Sequence, residues 1–206
     1  MDIQQGTPEW FQMRLGKVTA SKVADVMSKG RGSAESAGVR NYRAQLVCER
    51  LTGAMEETYT NAAMQRGTEL EPFARECYEF LKGVTVEQVA FIDHPTIPMA
   101  GASPDGLVGD DGLVEIKCPN TATHIDYLLG GEPPAQYIPQ MTWQLACTGR
   151  KWVDFVSYDP RLPEEMQLFV VRFRRDDGEI QKMEAAVVAF NSSVDQMIAD
   201  LRALRA

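Results

Sequence analysis

Ser103-Pro104-Asp105-Gly106-Leu107-Val108-Gly109-Asp110-Asp111-Gly112-Leu113-Val114-Glu115-Ile116-Lys117 reads as a β-hairpin. Two apolar arms flank a turn at Gly109–Gly112, where glycine and aspartate supply the backbone conformations a tight turn needs. Side chains alternate across a strand, so Glu115 and Lys117 share a face. With the turn centred near residue 110, Asp105 falls almost opposite Glu115. Carboxylates that close repel each other, and a hard divalent cation removes the penalty. Mg2+ is commonly held by one or two carboxylates, with substrate phosphate and water completing its shell. Lys117 is then placed to orient or deprotonate a water. The backbone carbonyl of Ile116, between the two, is a further candidate ligand. The plainer alternative is a solvated hairpin with an Asp turn and a surface Glu/Lys pair.

Outward from the hairpin, the periodicity predicts helices on both sides. Thr7-Pro8-Glu9 opens one with an N-cap, a proline at the first position and an acid in the first turn; Gly16 ends it. A second starts near Thr19 or Ser21 and stops before Gly30. A polar Gly/Ser loop fills residues 30–38. Arg40 to Leu51 is helical and closed by Gly53. Asn61 to Leu81 is a long helix in which Pro72 marks a break or a fresh start. Val84 to Ile92 has strand character, and Thr96 to Ala102 is short and apolar. Thr121 to Leu129 and Pro134 to Cys147 read as helices. Trp152 to Tyr158 and Met166 to Arg174 read as strands, and Asp177 to Arg205 as a terminal helix. This order predicts one α/β domain, residues 1–206, around a mixed central β-sheet flanked by helices. Trp143 and Trp152 are expected in the core, and His94 and His124 in structural or exposed positions.

Composition removes several classes. The hydrophobic share is 44% and the charged share 24%, so the chain is neither disordered nor fibrous. No apolar run reaches the length of a membrane span, and Met1–Gln5 does not read as a signal peptide. Cys48, Cys77, Cys118 and Cys147 lie far apart with no CxxC pair, which suits reduced cytosolic thiols. Net charge is −8, which alone argues against a passive nucleic-acid coat. The charge is uneven, however. Residues 1–50 carry eight Lys/Arg and five acids, for +3, leaving −11 on the rest.

An Asp followed by Glu-x-Lys on neighbouring strands resembles the PD-(D/E)xK nuclease superfamily. Within it, the chain resembles the phage lambda exonuclease family of viral recombinases. Three blocks carry that resemblance: Trp10 to Ser21, Gly67-Thr68-Glu69-Leu70-Glu71, and Ala102 to Pro119. Tyr137-Ile138-Pro139-Gln140 adds a weaker fourth, and Tyr158-Asp159-Pro160 extends it.

The resemblance implies roles. Asp105 and Glu115 match the metal-binding acids and Lys117 the catalytic lysine. Glu71 matches a helical acid that completes the metal site, whereas Glu69 and Glu76 read as surface acids. Gln140 matches a polar residue near the active site. Arg14, Ser21 and Ser103 match a pocket for a terminal 5′-phosphate; otherwise Arg14 is a charge favoured by the helix dipole at a C-terminus. Arg31 matches a DNA contact, against plain solvation. Met64 falls where the family places an apolar wedge at the terminal base pair, although most helical methionines are core. The implied protein is a Mg2+-dependent 5′→3′ exonuclease on duplex DNA ends, with Mn2+ a possible substitute. It forms a homotrimeric ring, works with a phage single-strand annealing protein and resides in the bacterial cytoplasm. In such a ring the basic residues among 1–50 would line the channel. Two rivals stand beside it. One is a non-catalytic DNA-end-binding scaffold; the other is a RecB/Cas4-like nuclease, whose clustered cysteines this chain lacks.

Overall fold

The computed structural model describes residues 3–30, 35–55 and 62–204. Its strands are β1 (Val18–Thr19), β2 (Val86–Glu87), β3 (Ile92–Asp93), β4 (Ala100–Ala102), β5 (Gly106–Val108), β6 (Gly112–Lys117), β7 (Trp152–Tyr158) and β8 (Leu168–Arg174). Its helices are α1 (Pro8–Arg14), α2 (Val23–Met27), α3 (Ala37–Thr52), α4 (Ala62–Lys82), α5 (Thr121–Gly130), α6 (Ile138–Thr148) and α7 (Asp177–Ala203). The class is α/β with mixed sheets between helices. The strands do not form one sheet, however. A five-stranded sheet runs β2-β5-β6-β7-β8, and a smaller one runs β1-β4-β3.

The expected strand at Val84 to Ile92 explains part of this. It is two short strands that serve different sheets: β2 pairs with β5 and β3 with β4. Thr19, one of the two expected helix starts, instead lies with Val18 in a strand that pairs in parallel with Ala100–Gly101. The helix expected from Thr19 or Ser21 to Gly30 shrinks to one 3-10 turn and the five residues of α2.

The five-stranded sheet is covered on both faces. Leu113 of β6 and Val153 and Phe155 of β7 join one core with Tyr42, Leu46, Trp143, Leu145, Val187 and Phe190 from α3, α6 and α7. Val114 and Ile116 of β6 and Val156 and Tyr158 of β7 join a second core with Ala74 and Tyr78 of α4. Alternation along β6 therefore aims Leu113, Glu115 and Lys117 at the α6 side, and Val114 and Ile116 at α4.

Helix α4 continues through Pro72. The lost N–H leaves the Thr68 carbonyl without its helical donor. Burial of Ala74 and Tyr78 against the sheet holds the helix together beyond that point. Trp143 is fully buried, as expected, while Trp152 is only partly so. His94 and His124 are buried and hydrogen-bonded through their rings.

Candidate active site

The hairpin register brings the carboxylates together. β5 and β6 pair Gly106 with Val114 and Val108 with Gly112. One step further places Asp105 opposite Glu115. Gly106 is required here: a Cβ would sit 2.0 Å from Val86 Cγ1 on the neighbouring strand. Asp105 accepts a 2.6 Å hydrogen bond on Oδ2 from the Ile116 N–H.

Glu115 is fully buried. Gln140 Nε2 donates to its Oε1 at 2.5 Å and Gln144 Nε2 to its Oε2 at 2.6 Å, both from successive turns of α6. Lys117 Nζ makes an ion pair with Glu115 Oε1, as the shared face predicts. The ammonium also lies 5.2 Å from the centre of the Tyr137 ring.

Electrostatics mark this as a strained cluster. Burial, then the charge of Glu115, pushes the Asp105 carboxyl well above the usual carboxylate range; Lys117 and the Ile116 N–H only partly counter this. Burial works to lower Lys117, but Glu115 and Asp105 outweigh it and hold its ammonium above the ordinary lysine range. Lys117 is therefore a cation in the metal-free protein. That favours orienting a water or meeting a phosphate oxygen over acting as a neutral base. Neighbouring Cys118 is pushed up to about 12 by burial and by Glu71, so its thiol is no nucleophile at neutral pH.

A divalent cation fits this chemistry. It would relieve the Asp105–Glu115 repulsion that Lys117 and the Ile116 N–H leave only partly compensated. The Ile116 carbonyl suits the same place. In a strand, the N–H and C=O of one residue point to the same side, and the Ile116 N–H points to Asp105. Pro104, opposite Ile116 in register, has no N–H to offer that carbonyl. Among the described residues, no three His, Cys, Asp or Glu side chains form a ready-made metal cage. Two carboxylates and a carbonyl would thus leave the rest of the shell to water and substrate.

Over this cluster opens a cleft of about 500 Å³, lined by Met64, Gly67, Glu71, Ile116, Lys117 and Tyr137. Glu71 faces it from α4 and pairs with Arg75 at 2.8 Å. Its charge is felt at Asp105, so it belongs to the same electrostatic cluster. Glu69 and Glu76 are exposed, as expected. Met64 sits on the cleft wall, 53% exposed, and is not a core residue.

A second polar pocket lies just upstream of Asp105. Arg14 Nη1 donates to Ser103 Oγ at 3.2 Å, and Trp10 Nε1 donates to the same oxygen at 2.9 Å. The Arg14 guanidinium stacks 4.1 Å from the Trp10 ring centre. Burial lowers its pKa, partly offset by Tyr42 and Glu49, and its Nε is a buried donor without a partner. A helix-end charge would be solvated; this one is desolvated and carries a spare donor. Ser21 is exposed, with its Oγ 3.5 Å from Thr19 Oγ1, and bonds neither Arg14 nor Ser103. It lies beside them only by register, since β1 and β4 pair Thr19 with Gly101 in parallel. Arg31 lies outside the described residues.

Sequence reasoning missed Gln144, the packing of Tyr137 on Lys117, and a bolt behind the site. In that bolt, buried Asp159 accepts from Thr121, Arg161 and Arg66, and Arg66 also reaches the Pro119 carbonyl at 3.1 Å. Gln140 and Gln144 are spaced i,i+4, a signal that both share one helix face.

Known proteins supply an independent comparison. The model of the YqaJ-like viral recombinase domain matches residues 9–151. Comparison with curated proteins gives no match. Among solved structures, the alkaline exonuclease LHK-Exo from Laribacter hongkongensis is 56% identical, with a TM-score of 0.90 over 97% of this chain and 98% of that one. The same enzyme in complex with dAMP superposes with a TM-score of 0.91 at the same identity. A phage-related exonuclease from Haemophilus somnus 129PT, 17% identical, has a TM-score of 0.73 over 90% of this chain and 96% of that one, and so shares the fold. The chain belongs to the YqaJ-like viral recombinase family, in agreement with the lambda exonuclease resemblance of its motifs.

Proposed function

We propose that residues 1–206 form one exonuclease domain, a metal-dependent deoxyribonuclease that digests one strand of linear duplex DNA 5′→3′. Its product would be a 3′ single-stranded overhang for phage recombination by strand annealing. The observation that carries this reading is the convergence of Asp105, Glu115 and Lys117 beneath a cleft. The 56% identity to an alkaline exonuclease supports it.

Asp105, Glu115 and the Ile116 carbonyl would hold Mg2+, or Mn2+ in its place, with Glu71 at the edge of the shell. Bound there, the cation supplies Lewis acidity for attack by water on the phosphodiester and for departure of the leaving oxygen. Gln140 keeps the Glu115 carboxylate in place. Lys117, charged, orients the water or meets the scissile phosphate. Arg14 and Ser103, with Ser21 nearby, grip the terminal 5′-phosphate. Met64 presses on the terminal base pair, and Arg31 contacts the DNA backbone. We infer a homotrimeric ring whose channel draws on the basic residues among 1–50, a phage annealing protein as partner, and the bacterial cytoplasm as location. Among the described residues, no helix is long and apolar enough to cross a membrane.

The test is a linear duplex labelled at either the 5′ or the 3′ terminus. Mg2+ should trigger release of mononucleotides, with the 5′ label lost first, and EDTA should stop it. No metal-dependent release would overturn the nuclease reading. Earlier loss of the 3′ label would reverse the polarity.

A further inference from the structure

We propose that Gln144 is a positioning residue for the cation site: as the neutral donor on Oε2 it fixes the Glu115 carboxylate opposite the Lys117 ion pair on Oε1, and leaves Oε2 without a second charged partner to compete with a divalent cation. This rests on the nuclease reading above.

Glu115 has no solvent to hold it, since its exposure is 0%. Its orientation is set by whatever donates to it. Lys117 and Gln140 share Oε1, and Gln144 alone is bonded to Oε2. A charged donor on Oε2 would compete with a cation for the same negative charge. An amide N–H takes one lone pair and leaves the charge. The orientation of the Gln144 amide is also forced. Turned over, its oxygen would face the Glu115 carboxylate, oxygen against oxygen. Held as it is, Gln144 Oε1 is a buried acceptor with no hydrogen-bond partner. Such an acceptor is costly, and apolar neighbours do nothing to offset it. Thr142 and Thr148 on the same helix satisfy their side chains on backbone carbonyls. Gln144 instead keeps an unsatisfied oxygen and spends its N–H on Glu115. A residue present only for packing would be served better there by Leu or Met.

The test is Mn2+ binding to the full chain without DNA, followed by electron paramagnetic resonance of the free ion. Gln144→Met keeps the length of the side chain and removes the donor. It should weaken Mn2+ binding about 10- to 100-fold, the range for ligand-orienting partners. DNA-end binding in EDTA should stay at wild-type strength. In a Glu115→Gln background the same substitution should cause no further loss of Mn2+ affinity. Leu145→Ala, buried on the same helix without a bond to Glu115, should lose thermal stability and keep its Mn2+ affinity. Wild-type Mn2+ affinity in folded Gln144→Met would overturn the proposal. Should that variant not fold, Gln144→Asn, one methylene short, must show the same weakening. If neither folds, Gln144 is a packing residue and the proposal falls. Absence of Mn2+ binding by the wild type would take down the nuclease reading along with it.

Discussion

The Ile116 N–H and the Asp105 carboxylate are joined by a 2.6 Å hydrogen bond that replaces the next rung of the β5–β6 ladder. A side chain thus ends the strand pairing where a backbone carbonyl would have continued it. The substitution has two effects. It locks Asp105 beside Glu115, and it leaves the Ile116 carbonyl opposite a proline. The end of the hairpin becomes a cluster of oxygen atoms short of positive charge.

Asp105→Asn should separate stability from activity. In the metal-free protein, burial and Glu115 raise the Asp105 pKa above that of the unfolded chain. The native state therefore binds this proton more tightly than the unfolded state does. Stability from this group is lowest above the raised value, grows as pH falls through it, and levels off below the ordinary carboxylate range. Asn can still accept from Ile116 but carries no charge. In EDTA the variant should melt higher than wild type, by about 2–4 °C per kcal/mol of relieved repulsion. The gap should narrow on acidification. Cleavage should be abolished. A lower melting temperature in EDTA at pH 7.5, measured by calorimetry, would contradict the repulsion argument.

Lys117→Met should cost about 10²- to 10³-fold in single-turnover rate while DNA binding persists. Because Glu115 and Asp105 hold Lys117 charged, its own deprotonation should not shape the rate profile. The slope of log rate against pH between 7 and 9.5 should be the same in variant and wild type. A slope that disappears in the variant would show that Lys117 acts as a base.

His94 should make the fold acid-sensitive away from the active site. Its Nδ1 accepts from the Thr96 and Ile97 N–H groups, and its ring stacks 5.1 Å from Trp143. Nε2 lies 3.2 Å from Glu184 Oε1. Burial lowers the pKa despite Glu184. A depressed folded value means the unfolded state takes the proton first. The contribution is thus whole above the ordinary histidine range near ~6.5 and is lost as pH falls below it. His94→Asn keeps an acceptor and loses the titration. Melting temperatures from pH 8 to 5 should fall less steeply in the variant, even if its value at pH 8 is lower. Equal slopes would assign the acid sensitivity elsewhere.

The hairpin, its register and the Asp105–Glu115–Lys117 set were legible because a strand has a period of two and a tight turn fixes who opposes whom. The long helices were legible from their periodicity and, for α3, from the closing Gly53; the side-chain caps Ser36, Asn120 and Asp176 went unread, and Ser36 fell in the expected loop. The division into two sheets was not, since β1, β2 and β3 are two residues long and carry no periodic signal. Their pairing is decided by long-range packing. Gln144 was missed for a related reason. A glutamine on an amphipathic helix looks like a solvated residue until a buried acid is found opposite it.

Arg14→Ala should erase a preference rather than activity. Arg14 is mostly buried, stacked on Trp10 and bonded to Ser103, with Nε unpaired. A desolvated guanidinium with an unused donor is suited to an anion, and a terminal phosphate brings roughly −1.5 to −2 charges at neutral pH. Ser103 stands two positions before Asp105, so an end phosphate held there lies next to the proposed cation site. Wild type should therefore digest 5′-phosphorylated duplex faster than 5′-hydroxyl duplex. In Arg14→Ala the phosphorylated substrate should slow toward the hydroxyl rate, while the hydroxyl rate changes little. Arg14→Lys should recover only part of the difference, because an ammonium cannot offer two parallel donors. Both substrates must be compared at one salt concentration, since every phosphate contact weakens with salt. Equal rates on the two ends in wild type, or an undiminished ratio in Arg14→Ala, would leave Arg14 as a structural residue that ties α1 to Ser103.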